Sequence, residues 1–150
     1  LAEETKKIFD TNGSTYYQYD LDEPGDHAHF LFAEVNYGEL PDLVDLEAAG
    51  IAYTSHWDAG SEYDSGHKTC RFTPDGKIRV VEVYDNQTGI PIDTLMSLIE
   101  DYPALRKMIT ARHEAQTSLP WTNQAEYGRK HRMLRLVNPN WKEDHVHIVC

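Results

Sequence analysis

Cysteine is scarce in this chain: Cys70 and Cys150 stand far apart in 150 residues, too few for a disulfide framework. No apolar run approaches the roughly 20 residues that span a bilayer. The opening LAEETKKIF has no apolar centre of the export-signal kind, and its first residue is Leu1 rather than Met, which leaves room for a preceding segment. These absences lead us to expect a reduced, cytoplasmic protein with no membrane partner. Also missing are Gly-x-Ser-x-Gly, a phosphate-binding glycine loop and a dinucleotide fingerprint. The segment ARHEAQT opens like a His-Glu-x-x-His zinc helix, but Thr117 stands where the second histidine is required.

Positive charge is missing from the first part of the chain. Residues 1–66 hold 15 Asp and Glu against only Lys6 and Lys7, whereas residues 101–150 hold 8 basic and 5 acidic residues. The formal net charge is −11. Such a first half repels nucleic acid and anionic membranes and attracts basic partners.

What is present is a globular composition. Hydrophobic residues make up 40% and charged residues 26%, so one domain over 1–150 with a real core is expected. AEETKKIFDTNG reads as a helix closed at Asn12-Gly13, and STYYQYD and HAHFLFAEVNY as a hairpin. Apolar residues on both faces of the second strand suggest a central strand covered on each side. ELPDLVDLEAAG is a helix with Leu40, Leu43, Val44 and Glu47 on one stripe. IAYTSHW, HKTCRFT and IRVVEVY are strands, the last two joined by the turn PDGK. Pro103 splits the next apolar stretch into two helices, the second capped by Asp101, and NQAEYGRKHRMLRLV is a last helix with a capping-box spacing at Asn123. DHVHIVC ends the chain as a strand or a tail. The order implies an α+β fold, with an antiparallel or mixed sheet of four to five strands and helices mainly on one face.

Four constellations bear on function. The stretch TSHWDAGSEYDSGHKTC offers His56, Asp58, Asp64 and His67, donors able to hold a divalent transition metal and activate water for hydrolysis. Against this, no established ligand spacing is present, and a polar connection between strands needs the same turn formers. Two His-x-His triplets, at 27–29 and 145–147, would meet on one metal if the last segment paired beside the second strand. Cys70 lies between Lys68 and Arg71, but alternation sets it beside Phe72, as a packing residue. Arg129, Lys130, Arg132 and Arg135 form the one basic cluster, a conceivable phosphate-binding helix face.

The acidic surface is the fourth. Asp20, Asp22, Glu23 and Asp26 fall at the first turn, Glu39, Asp42, Asp45 and Glu47 at the short helix, and Asp58, Glu62 and Asp64 in the loop. A ridge of carboxylates of this kind can occupy a cationic groove that otherwise holds a nucleic-acid backbone. The expectation is therefore a binding protein, an inhibitor or adaptor for a basic surface such as that of a nucleic-acid-handling protein. A metal-dependent hydrolase and a basic-helix nucleic-acid binder are the alternatives.

Overall fold

A computed structural model of the chain describes residues 1–19, 27–33, 35 and 39–138, and the main chain of 146–149. The architecture is α+β. Helix α1 (Ala2–Thr11) turns Thr5 and Phe9 inward, four residues apart, and ends where Gly13 takes φ +71°. Strands β1 (Tyr16–Tyr19) and β2 (His29–Phe32) form the expected antiparallel hairpin. β2 is not a central strand. It pairs with β1 in a sheet of two strands, and Leu31 faces solvent while Phe30 and Phe32 meet the Phe9 ring edge-on. The two-residue alternation that places Phe30 and Phe32 together is real, and Leu31, on the opposite side, is exposed.

Helix α2 (Asp42–Ala48) buries Asp42, Leu43, Leu46 and Glu47. Its inward stripe is thus rotated from the one expected, and Val44 is exposed. The chain then runs antiparallel through β3 (Tyr53–Trp57), β4 (Gly66–Phe72) and β5 (Ile78–Tyr84). Gly76, at φ +82°, makes the turn between the last two, as PDGK implies. Helices α3 (Ile92–Leu98) and α4 (Tyr102–Gln116) follow, separated as Pro103 requires, and Asp101 Oδ1 accepts from the Ala104 amide at 3.1 Å. Helix α5 (Gln124–Val137) starts after Asn123, but no capping box forms. Asn123 itself is left-handed, and its amide lies against the Tyr127 hydroxyl.

Strand β6 (Val146–Val149) pairs in parallel with β5, so the larger sheet has the order β3-β4-β5-β6. A parallel return needs a long crossover, supplied here by the three helices between β5 and β6. The described strands therefore divide into two sheets, a hairpin of two and a mixed sheet of four, and do not form one sheet that holds them all. The antiparallel pairings are set by adjacent hairpins, and among the described residues none joins β1–β2 to the larger sheet.

Alternation gives the larger sheet two faces. On the first, Tyr53, Cys70, Phe72, Ile78 and Val80 pack with Phe9 of α1 and Leu43 and Leu46 of α2. Cys70 is fully buried here, so its side chain packs. Helix α5 joins this core through Tyr127 and His131, and its Gly128 meets Gly50 so closely that a Cβ on either would collide with the other's main chain. Gln124 binds both main-chain groups of Phe72, donating to its carbonyl and accepting from its amide beyond the end of β3. On the second face, Arg79 donates to the Glu114 and Thr117 carbonyls at the end of α4. Helices thus lie against both faces, and neither α3 nor α4 contributes a buried residue. Among the described residues, no helix is long and apolar enough to cross a membrane.

Candidate binding site at the acidic end of the sheet

Three cross-strand partners, Trp57, Gly66 and Tyr84, form the last row of the first face. Gly66 is what lets this row form. A Cβ there would stand 2.6 Å from the indole and 2.5 Å from the Val83 carbonyl oxygen, so only glycine lets the Trp57 ring lie across β4. The indole reaches Tyr84 edge-to-face, with ring centroids 5.5 Å apart, and its Nε1 donates to the Asp64 carbonyl at 3.0 Å. One row inward stand Lys68 and Glu82, also cross-strand partners. The Tyr84 hydroxyl donates to Glu82 Oε1 at 3.0 Å. That bond first, then burial and the charges of Glu82 and Glu39, holds the phenol above its ordinary pKa.

These side chains line a cavity of about 250 Å³, closed on the helix side by Leu40, Pro41 and Leu43 and rimmed by Glu39. Glu47 of α2 is buried and accepts from the Tyr53 hydroxyl at 2.6 Å, with Lys68 Nζ at 3.9 Å from the same oxygen. Burial first, then the Glu47 carboxylate, pushes the Tyr53 hydroxyl far above its usual pKa. The Lys68 ammonium is thus shared with a carboxylate beneath the cavity, while Glu39 and Glu82 face it.

The loop 58–65 leaves from Trp57 and returns at Gly66, so Asp58, Glu62 and Asp64 all belong to this end, and Asp85 follows Tyr84. The loop is fastened to the 3-10 turn Asp85–Gln87: Ser65 Oγ donates to Asp85, the Asp85 amide donates to the Ser65 carbonyl, and Asn86 donates to Asp64. At the other end of the sheet, Lys130 Nζ donates to the Pro74 carbonyl and His131 Nδ1 bonds the Gly76 carbonyl oxygen, bringing α5 to the β4–β5 turn. The sheet is polarised along its strands, acidic where β3 ends and basic where α5 crosses.

The carboxylates named from sequence have diverse fates. Asp58, Glu62, Asp64 and Glu39 are exposed at the acidic end. Asp45 is exposed on α2 and accepts from Asn12. Asp42 and Glu47 do not belong to a surface ridge: Glu47 is buried against the Tyr53 hydroxyl, and Asp42 is buried with Oδ1 accepting from Asn12 and Oδ2 from Ser14, which ties α2 to the end of α1. Asp20, Asp22, Glu23 and Asp26 lie outside the described residues.

Of the proposed metal donors, the sheet unites two. His56 and His67 are cross-strand partners on the second face, with ring centroids 5.7 Å apart. Among the described residues, no group of three or more His, Cys, Asp or Glu side chains is placed to hold a metal. The His-x-His triplets do not share a sheet, because β6 pairs with β5 whereas His29 lies in the β1–β2 hairpin. Of the basic residues, Arg132 pairs with Glu4 of α1 at 2.7 Å, Lys130 is bonded to Pro74, Arg129 is exposed and Arg135 is partly covered.

No family model, curated protein or solved structure matches this chain. The site therefore stands on its own geometry. Sequence reasoning missed the cavity, since Trp57, Lys68, Glu82 and Tyr84 come from three strands. The available signal was the register: a glycine opposed to both Trp57 and Tyr84 lets the two aromatic rings meet across β4 at the sheet's end.

Proposed function

We propose that this protein works by binding, presenting the acidic end of its larger sheet to a basic macromolecular surface as an inhibitor or adaptor. The observation behind this reading is the gathering of Glu39, Asp58, Glu62, Asp64, Glu82 and Asp85 at one end of the sheet, where Glu39 and Glu82 line a cavity with two aromatic residues, and the basic helix α5 is held at the far end. A charge distribution of this kind orients the molecule in the field of a basic partner and speeds encounter. The partner this reading favours is one that also handles nucleic acid, because carboxylates can replace phosphates in a cationic groove. The test is capture of partners from nuclease-treated lysate at low and moderate salt. A basic protein retained at low salt and displaced by added DNA supports the reading, and retention that is indifferent to both salt and DNA contradicts it.

A second reading rests on the His56–His67 pair. Two neutral imidazoles on adjacent strands can share one divalent transition metal, with water or a further carboxylate completing the shell. Stoichiometric zinc or nickel that is lost in the His56→Ala, His67→Ala double variant supports this reading, and equal metal content in both proteins removes it.

A further inference from the structure

We propose that the cavity lined by Trp57, Tyr84 and Glu82 is a socket for a single basic side chain, a lysine or arginine of a polypeptide partner. This inference rests on the binding function proposed above and names the chemistry of its anchor. Four features favour an organic cation on an alkyl stem. Two aromatic rings meet edge-to-face at the cavity, and the face of an indole attracts cations. Two carboxylates, Glu39 and Glu82, line it, while the one ammonium there, Lys68, is 3.9 Å from the buried Glu47. Leu40, Pro41 and Leu43 offer an apolar wall that suits a methylene chain. The volume of about 250 Å³ lies below the ~300–1,000 Å³ of pockets for larger ligands and fits one side chain.

The parts are held in place before any ligand arrives. The indole is fixed by its bond to the Asp64 carbonyl and by its seat over Gly66, and the Glu82 carboxylate by the Tyr84 hydroxyl. Little ordering is left for the ligand to impose, which favours binding. Glu82 keeps a second oxygen, and each oxygen more than one lone pair, to accept from an ammonium or guanidinium.

The test uses lysine, arginine and norleucine, each blocked at both termini, titrated into the intact protein and followed by two-dimensional nitrogen–proton NMR. The lysine or arginine probe is expected to shift the Trp57 indole and the Gly66 and Tyr84 amides, and the norleucine probe is not. The stronger of the two cations identifies the anchor. Glu82→Gln is expected to weaken binding roughly tenfold through loss of a charge-assisted hydrogen bond, and Trp57→Ala to abolish it. Equal shifts from norleucine would overturn the proposal, showing an apolar slot. Shifts spread over the loop 58–65 and unchanged by both substitutions would also overturn it, while leaving the broader reading of an acidic binding surface in place.

Discussion

The two ends of one sheet face are built to different rules. At the covered end, Tyr53, Cys70, Phe72, Ile78 and Val80 are sealed beneath α1 and α2, and every apolar group has a neighbour. At the other end, two rows along the same strands, Trp57, Lys68, Glu82 and Tyr84 remain partly open, with charges among the rings. The alternation of residues is the same in both. What differs is that the helix cover stops at Pro41, and beyond it the inward positions change from aliphatic to aromatic and ionic. Apolar burial is concentrated at the covered end, and the open end is the one proposed to bind a partner.

That contrast can be broken by substitutions that separate stability from binding. The largest effect is expected from Phe72→Ala, which should cost about 3–5 kcal/mol in denaturant unfolding, because a fully buried ring leaves a cavity. Trp57→Ala removes a larger ring yet should cost about 1–2 kcal/mol, since the residue is only partly buried and its losses are the contact with Tyr84 and the bond to the Asp64 carbonyl. If the two proved equally destabilising, the open end would be part of the core.

Next is Tyr53→Phe, which takes the donor from buried Glu47 and should cost about 1–3 kcal/mol. It also sharpens the comparison through pH. The Tyr53 hydroxyl keeps its proton to higher pH in the folded chain than in the unfolded one, where its pKa is near 10.0. Above that pH the unfolded chain binds fewer protons, so this contribution is complete below pH 10 and falls as pH rises past it. Unfolding measured across pH 8–11 should show an alkaline loss (range set about the phenol's usual value of roughly 10). Tyr53→Phe should flatten part of that loss.

The smallest effect belongs to the basic helix. Arg132→Ala breaks an exposed pair with Glu4 and should change stability by less than about 1 kcal/mol. A thermal unfolding comparison at low and high salt would check it, with the difference shrinking as salt rises.

Much of the fold was legible because it is local. The PDGK hairpin, the break at Pro103 and the cap at Asp101 each depend on residues within a few positions of one another. The inward stripe of α2 was misread because Leu46 and Asp42 are fixed by α1 and the sheet, not by the helix alone. Asp42 shows the limit most clearly: in sequence it is one acid among many, and only the tertiary partners Asn12 and Ser14 make it structural. The division into two sheets and the parallel docking of β6 depend on long-range pairing, which composition and periodicity do not encode. The acidic character of one end was visible as a charge excess. Its aromatic cavity was not, because Trp57 and Tyr84 are neighbours only across Gly66.

The most direct test of the account compares two charge reversals of equal size. One is Asp58→Lys with Asp64→Lys at the acidic end, and the other is Asp93→Lys with Glu100→Lys on the exposed surface around α3. Both change the net charge by the same amount, and binding of the captured basic partner would be measured for each at two salt concentrations. The account predicts that the first pair loses the partner while the second retains it. Equal loss in both would contradict it, reducing the interaction to net charge alone.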